Sequence, residues 1–136
     1  MLVLDALKGY FAVKLASHFG GPRFENLCGI LAIFAHCYPV YLGFKGGKGV
    51  ATALGVVAAL SLWTLALASL VFLIVVLATR RISAGSMAGA LSLPLIVSLY
   101  RSPLMIISAC LIAAVVCWNH RENAIRLWRN EEPKFF

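Results

Sequence analysis

Residues 50–78 read VATALGVVAALSLWTLALASLVFLIVVLA, a run without a charged side chain. It is 29 residues long, whereas a helix needs only about 20 apolar residues to cross a bilayer once. Two architectures fit. The run is either one long tilted helix, or two short helices broken near Ser61-Leu62-Trp63-Thr64 and folded back as a hairpin. Basic residues discriminate, because the cytoplasmic segments of a polytopic protein collect Lys and Arg. A hairpin puts eight of them (Lys45, Lys48, Arg80, Arg81, Arg121, Arg126, Arg129 and Lys134) on one side, against Arg23 and Arg101 on the other. A single span leaves Arg23, Arg80, Arg81, Arg121, Arg126, Arg129 and Lys134 facing Lys45, Lys48 and Arg101, seven against three. The hairpin has the stronger bias and keeps the polar segments together, so it is the expected arrangement.

Four more apolar stretches flank this run, roughly 2–19, 26–42, 87–99 and 103–118. The chain is 62% hydrophobic with a mean hydropathy of +0.92, against about 45–50% apolar for a soluble domain. A small soluble chain buries too little of its surface to hide that excess. The expected fold is therefore all-α: a polytopic integral membrane helical bundle forming one domain over 1–136, with about five to six membrane helices. Only 12% of residues are charged, yet the formal net charge is +7. The basic residues sit in short clusters between apolar runs, as in a membrane protein. No nucleic-acid partner is expected.

The first stretch carries Asp5, Lys8 and Lys14. Asp5 and Lys8 are three apart and share a helix face. Charges inside a span face the protein interior or a watery cavity, although Lys14 has a stem long enough to snorkel. Gly20-Gly21-Pro22 ends this helix. His18, near its end, is expected at the interface. Cys28, Cys37, Cys110 and Cys117 all lie in apolar runs with no Cys-x-x-Cys pair, which argues against a disulfide framework or zinc site. No metal or cofactor is expected. The tail 119–136 is expected to start as a helix, with Arg121, Glu122 and Arg126 interacting along it and Pro133 stopping it.

Chemistry concentrates in three segments. In Gly43-Phe44-Lys45-Gly46-Gly47-Lys48-Gly49, four glycines let the backbone approach a ligand closely. The following helix start, with Thr52 in its first turn, adds N–H donors, and Lys45 and Lys48 add charge. Together they make an anion site, and phosphate is the expected anion. A nucleotide P-loop is excluded: only three residues separate Gly43 from Gly47-Lys48, and Gly49 stands where a magnesium-binding hydroxyl is required. The second segment is Asn119-His120-Arg121-Glu122-Asn123-Ala124-Ile125-Arg126. A helix from 119 would align His120, Asn123 and Arg126 on one face, offering an imidazole, an amide and a forked cation suited to phosphate. The bland alternative is a juxtamembrane basic helix. The third is Ser83-Ala84-Gly85-Ser86, where either serine is also a natural helix N-cap. His36 precedes the glycine loop and either orients it or is an ordinary buried histidine.

These segments resemble the bacterial acyl-phosphate:glycerol-3-phosphate acyltransferases, the PlsY family. His36-Cys37-Tyr38-Pro39-Val40-Tyr41-Leu42 and the glycine segment through Thr52 look like that family's second motif almost residue for residue. The stretch from His120-Arg121-Glu122-Asn123 through Arg126-Leu127 to Glu132-Pro133-Lys134 looks like its third. Asp5-Ala6-Leu7-Lys8-Gly9 and Ser83-Ala84-Gly85-Ser86 resemble further family segments, so the likeness covers essentially the whole chain. Asn130-Glu131-Glu132 departs from the family's usual Gly-Thr-Glu. The family also begins with one more span and a Gly/Ser/Asn-rich first motif that nothing here matches. On that comparison the chain is expected to be truncated at its N terminus. Expressed alone, it is expected to be poorly stable, with little acyltransferase activity.

The resemblance implies transfer of a fatty acyl group from acyl phosphate to the 1-hydroxyl of glycerol 3-phosphate, yielding lysophosphatidate and phosphate, the first step of phospholipid synthesis. The implied location is the bacterial inner membrane, multi-pass, with the active loops cytoplasmic and lipid as surroundings. His120, Asn123 and Lys48 are the expected catalytic residues, with His120 either orienting a substrate or acting as base. Lys45, Gly46, Gly47, Lys48, Gly49, Thr52, Ser83, Ser86, Arg126, Glu132 and His36 are the expected substrate-binding residues. Acyl-CoA-using enzymes carry His-x-x-x-x-Asp; here Asp5, the only aspartate, precedes every histidine. The alternative is a non-catalytic membrane protein, such as a transporter subunit with an anion-binding loop.

Overall fold

The computed structural model describes residues 2–38, 49–99 and 103–136. These form seven helices: α1 (Leu2–Gly20), α2 (Pro22–Cys37), α3 (Val50–Leu60), α4 (Leu62–Thr79), α5 (Ile82–Ser98), α6 (Pro103–Asn119) and α7 (Arg121–Trp128). The described residues contain no strand.

The run 50–78 is broken at Ser61, as expected. Ser61 is extended at φ −163° and ψ 110°. Its N–H closes α3 onto the Val57 carbonyl at 2.8 Å. Its hydroxyl caps α4, accepting from the Thr64 N–H at 3.3 Å and the Thr64 hydroxyl at 3.0 Å. One side chain thus ends one helix and starts the next, a role that serine fills well at an N-cap. The two helices fold back on each other. Gly49, at the start of α3, sits against Cys37 at the end of α2. Tyr38 in turn bonds Asn119 at the end of α6. Arg81, just past the end of α4, bonds Asn130 and the Glu132 carbonyl beyond α7. Both ends of the hairpin therefore lie at the α6–α7 end of the bundle. Its apex, around Ser61, lies towards the start of α6.

The outer surface is apolar. Phe11, Leu15 and Phe19 of α1 and Leu70, Leu73, Ile74 and Leu77 of α4 are exposed. Water does not tolerate so large an apolar surface on a monomer, whereas lipid does. By length and composition α4 is the one described helix long and apolar enough by itself to cross a bilayer, α6 and α7 pass only taken together, and α3 and α5 are shorter apolar helices. Inside, backbones approach closely at small residues, as membrane interfaces favour. The tightest approach is between α1 and α3, where a Cβ added at Gly55 would collide with the Ala6 carbonyl oxygen.

Gly20-Gly21-Pro22 ends α1 as expected, and Pro22 opens α2 at its first turn. Asp5 and Lys8 pair at 3.7 Å. Lys14 reaches the Tyr10 ring at 5.7 Å, and His18 is exposed against Phe19. Two expectations need correction. Pro133 does not stop the tail helix: α7 ends at Trp128, where Asn130 turns left-handed at φ 58°. The N–H groups of Glu131 and Glu132 then bond back to the Arg126 carbonyl, which supplies a C-terminal closure without proline. Nor does one helix run on from 119. The axes of α6 and α7 differ by 63°, with His120 at the corner.

The close approach at Gly55 sets an expectation. Gly55→Ala forces α1 and α3 apart and should cost about 1–3 kcal/mol or more, lowering the melting midpoint of the purified protein by several degrees. Gly89→Ala, whose new Cβ lies 3.4 Å from the Ala68 carbonyl oxygen, should change it little. Equal effects of the two substitutions would contradict this packing.

Candidate functional site

The sharp corner at His120 turns α7 across the end of the bundle. Four residues after α7 ends, the chain brings Glu132 back beneath the helix, onto the first turn of α5. Its carboxylate collects donors from two helices. Ser83 Oγ donates to Oε1 at 2.8 Å, Asn123 Nδ2 to the same oxygen at 2.8 Å, and Arg126 Nε to Oε2 at 2.7 Å. Arg81 Nε donates to the Glu132 backbone carbonyl at 3.0 Å and Arg81 Nη2 to Asn130 Oδ1 at 2.8 Å. The Phe135 N–H bonds the Arg80 carbonyl at 2.6 Å, so the tail is tied to the α4–α5 junction by its backbone as well.

The Glu132 side chain is 9% exposed and that of Arg126 41%. Burial pushes the Glu132 carboxyl up. The hydrogen bonds from Arg126, Asn123 and Ser83 and the Arg126 charge outweigh it, and the net result is a pKa lowered to about 2. The hydrogen bond to Glu132 raises that of Arg126. Arg126 thus stays cationic and half in solvent, with the two NH₂ groups of its guanidinium beyond the Nε contact. Arg81 adds a second guanidinium, and the knot carries more positive than negative charge.

Asn123 and Arg126 share a face of α7, as expected, and His120 stands beside them at the corner. His120 is 4% exposed. Its Nδ1 lies 2.7 Å from the Val116 carbonyl. A carbonyl only accepts, so Nδ1 carries the proton, and Nε2 is the basic nitrogen of the neutral ring. Ser83 and Ser86 lie inside α5, whose N-cap is Arg81. Neither serine caps the helix: Ser83 is committed to Glu132, and Ser86 lines an apolar groove.

The groove has a volume of about 680 Å³ and lies between α3, α4, α5 and α6. Val50, Ile82, Ser86 and Val116 line it at the polar end, and Val57, Leu93 and Ile112 at the other. Exposed Leu54 and Leu73 border it, so it opens sideways, and Ile82 and Ser86 bring its polar end next to Ser83.

Lys45, Gly46, Gly47 and Lys48 lie outside the described residues, but both flanks of their segment are placed. Gly49 caps α3 in the left-handed region at φ 87°, where glycine has no steric cost. A Cβ there would meet Cys37 Sγ at 2.8 Å, so the two flanks lie side by side. Thr52, in the first turn of α3, is fully buried, and its hydroxyl has no partner among the described residues. His36 Nδ1 stands 3.6 Å from Asp5 Oδ1, which ties the end of α2 to α1. Sequence reasoning missed two contributors. Arg81 was seen only as a topology signal. The bond from the Tyr38 hydroxyl to Asn119 Oδ1, 2.8 Å, spans 81 positions, and no local pattern announces it.

The depressed Glu132 pKa makes the docking of α7 acid-sensitive. Unfolded, the carboxyl titrates near 4.5, and folded near about 2. The folded state holds the proton more weakly, so the stabilisation is complete above the unfolded value and fades as pH falls from 4.5 towards 2. Hydrogen-exchange protection of the α7 amides should fall through that window, and Glu132→Gln should show low protection at every pH. Protection of the native protein that stays constant through the window would contradict the assignment.

Comparison with known proteins bears on the whole arrangement. The family model described as glycerol-3-phosphate acyltransferase matches residues 1–130. A glycerol-3-phosphate acyltransferase of Prochlorococcus marinus (strain MIT 9215) is 40% identical over 139 residues, covering 98% of this chain and 70% of that one. One from Ruegeria sp. (strain TM1040) is 42% identical over 124 residues, covering 90% of this chain and 61% of that one. Two crystal structures of PlsY (YgiH), an integral membrane glycerol 3-phosphate acyltransferase, are similar to the chain at a TM-score of 0.94 and 36% identity. Both are covered by 99% of this chain, which spans 69% of the glycerol 3-phosphate form and 70% of the lysophosphatidic acid form. This chain, a helical bundle of the integral membrane type, belongs to the glycerol-3-phosphate acyltransferase family.

Proposed function

We propose that this chain forms the single catalytic domain of an enzyme that moves a fatty acyl group from acyl phosphate to the 1-hydroxyl of glycerol 3-phosphate. The observation that carries this reading is one juxtaposition. A net-positive knot built on Arg81, Ser83, Asn123, Arg126 and Glu132 stands beside the polar end of an apolar groove of about 680 Å³. A phosphate head joined to an acyl tail matches both halves. The relatives' activity and the lysophosphatidic acid form of the structural neighbour support the same substrates.

In the reaction, the glycerol 3-phosphate hydroxyl attacks the acyl carbonyl carbon, the C–O bond to phosphate breaks, and inorganic phosphate leaves. Phosphate is a good leaving group, so positioning supplies much of the rate. Lys45, Lys48 and Arg126 hold phosphate groups, and the N–H groups of Gly46, Gly47 and Gly49 bind phosphate or the developing oxyanion. Thr52 contributes its buried hydroxyl at the same helix start. Asn123 orients the acceptor. His120 Nε2 is the candidate base for the hydroxyl proton, with orientation of that hydroxyl as its alternative role. Ser86 sits where head meets tail. Glu132 and Ser83 act as positioning residues for Asn123 and Arg126, and His36, held by Asp5, positions the entry to the glycine segment. The basic residues gathered at the polar end favour a cytoplasmic active face of the inner membrane.

The test is release of phosphate from acyl phosphate by the protein in lipid nanodiscs, where turnover would overturn the expectation of little activity for the chain expressed alone. It should depend on glycerol 3-phosphate and match lysophosphatidate formed. Lys48→Ala and Arg126→Ala should each lose about 10²-fold or more, the scale of a well-placed transition-state donor, with exposed Arg129→Ala as the neutral control. Losses within about threefold would remove the assignments. Glycerol 3-phosphate uptake into vesicles without chemistry would overturn the enzyme reading in favour of a transporter.

A further inference from the structure

The acyl groove and a second, far smaller cavity share one wall. The groove ends at Val57, Leu93 and Ile112. Beyond those three side chains lies a space of about 10 Å³ that Thr64 and Ser108 also line, close to the volume a single water occupies. Val57, Leu93 and Ile112 are 7%, 6% and 3% exposed and belong to the central core. Thr64 and Ser108 are themselves buried, at 2% and 1% exposed, so packed core continues where the groove stops.

We propose that Val57, Leu93 and Ile112 are the floor of the groove and set the longest acyl chain the protein holds in full. This rests on the reading that the groove takes the acyl tail. The groove runs beside α5 from Ile82 to Leu93, a span of twelve residues, or about 16 Å along the helix axis. Each methylene seated in it leaves water or lipid for a fixed apolar wall. Measured against water, one buried methylene is worth roughly fourfold in affinity. The gain stops at the floor. A longer tail must displace packed core side chains or turn out sideways past Leu54 and Leu73. Neither adds the fixed apolar contact that the earlier methylenes found.

The floor is testable by length. Saturated lysophosphatidates from decanoyl to stearoyl are competed for binding to the protein in nanodiscs, and transfer from the matching acyl phosphates is followed in parallel. Affinity should rise with length and then level off. Leu93→Ala joins the two cavities and should move the plateau to tails longer by roughly two to four carbons, about the size of the side chain removed. Ile112→Val, a milder change that spares the packing, should move it the same way by about one carbon. A plateau at the same length in native protein and in both variants would overturn the floor while leaving the acyl site intact. Failure of the native protein to retain any lysophosphatidate would overturn the acyl site and the floor together.

Discussion

The carboxylate of Glu132 is the point on which the polar end of this molecule depends. It joins α5 through Ser83 to α7 through Asn123 and Arg126. A buried charge is tolerated only when it is paired and hydrogen-bonded, and here three donors and a guanidinium meet that condition. Without the carboxylate, the bonds from Ser83, Asn123 and Arg126 that converge on it are lost together. The amide of Asn123 and the fork of Arg126 would then lose their common reference. Glu132, expected from the family resemblance to bind substrate, has its carboxylate engaged by Ser83, Asn123 and Arg126 in this structure.

The bundle beneath obeys a different constraint. In lipid every backbone polar group must be satisfied within the chain, so a break in a span has to be capped. Ser61 does this for both halves of the hairpin. Its placement brings Arg81 back to the end where Gly49 begins α3, and so brings the first turn of α5 within reach of Glu132. The groove is a further consequence. The hairpin arms diverge from Ser61 towards α1 and α5, and small residues at Ala53, Gly89 and Ala90 leave the space between them unfilled.

Much of this was legible in the sequence. The length of the 50–78 run and the bias of its flanking charges pointed to a hairpin, and the family resemblance is borne out. Asp5 and Lys8 pair as their spacing requires. The failures share one cause, which is that local pattern says nothing about distant partners. Pro133 looked like the stop of α7, but the helix closes earlier through N–H bonds to Arg126 and a left-handed Asn130. Ser83 looked like a cap, yet its hydroxyl is taken by a residue 49 positions away. The 63° corner at His120 was equally hidden, because a polar helix following an apolar one carries no sign of its direction.

The most direct measurement of the account is the distance between α4 and α7. Spin labels at Ala78 and Trp128, both exposed, in a protein freed of its native cysteines, report whether the tail is docked. The account predicts one narrow distance in nanodiscs at neutral pH, and a broad distribution once Glu132→Ala removes the carboxylate. A broad distribution in the native protein, or a narrow one that survives Glu132→Ala unchanged, would contradict it.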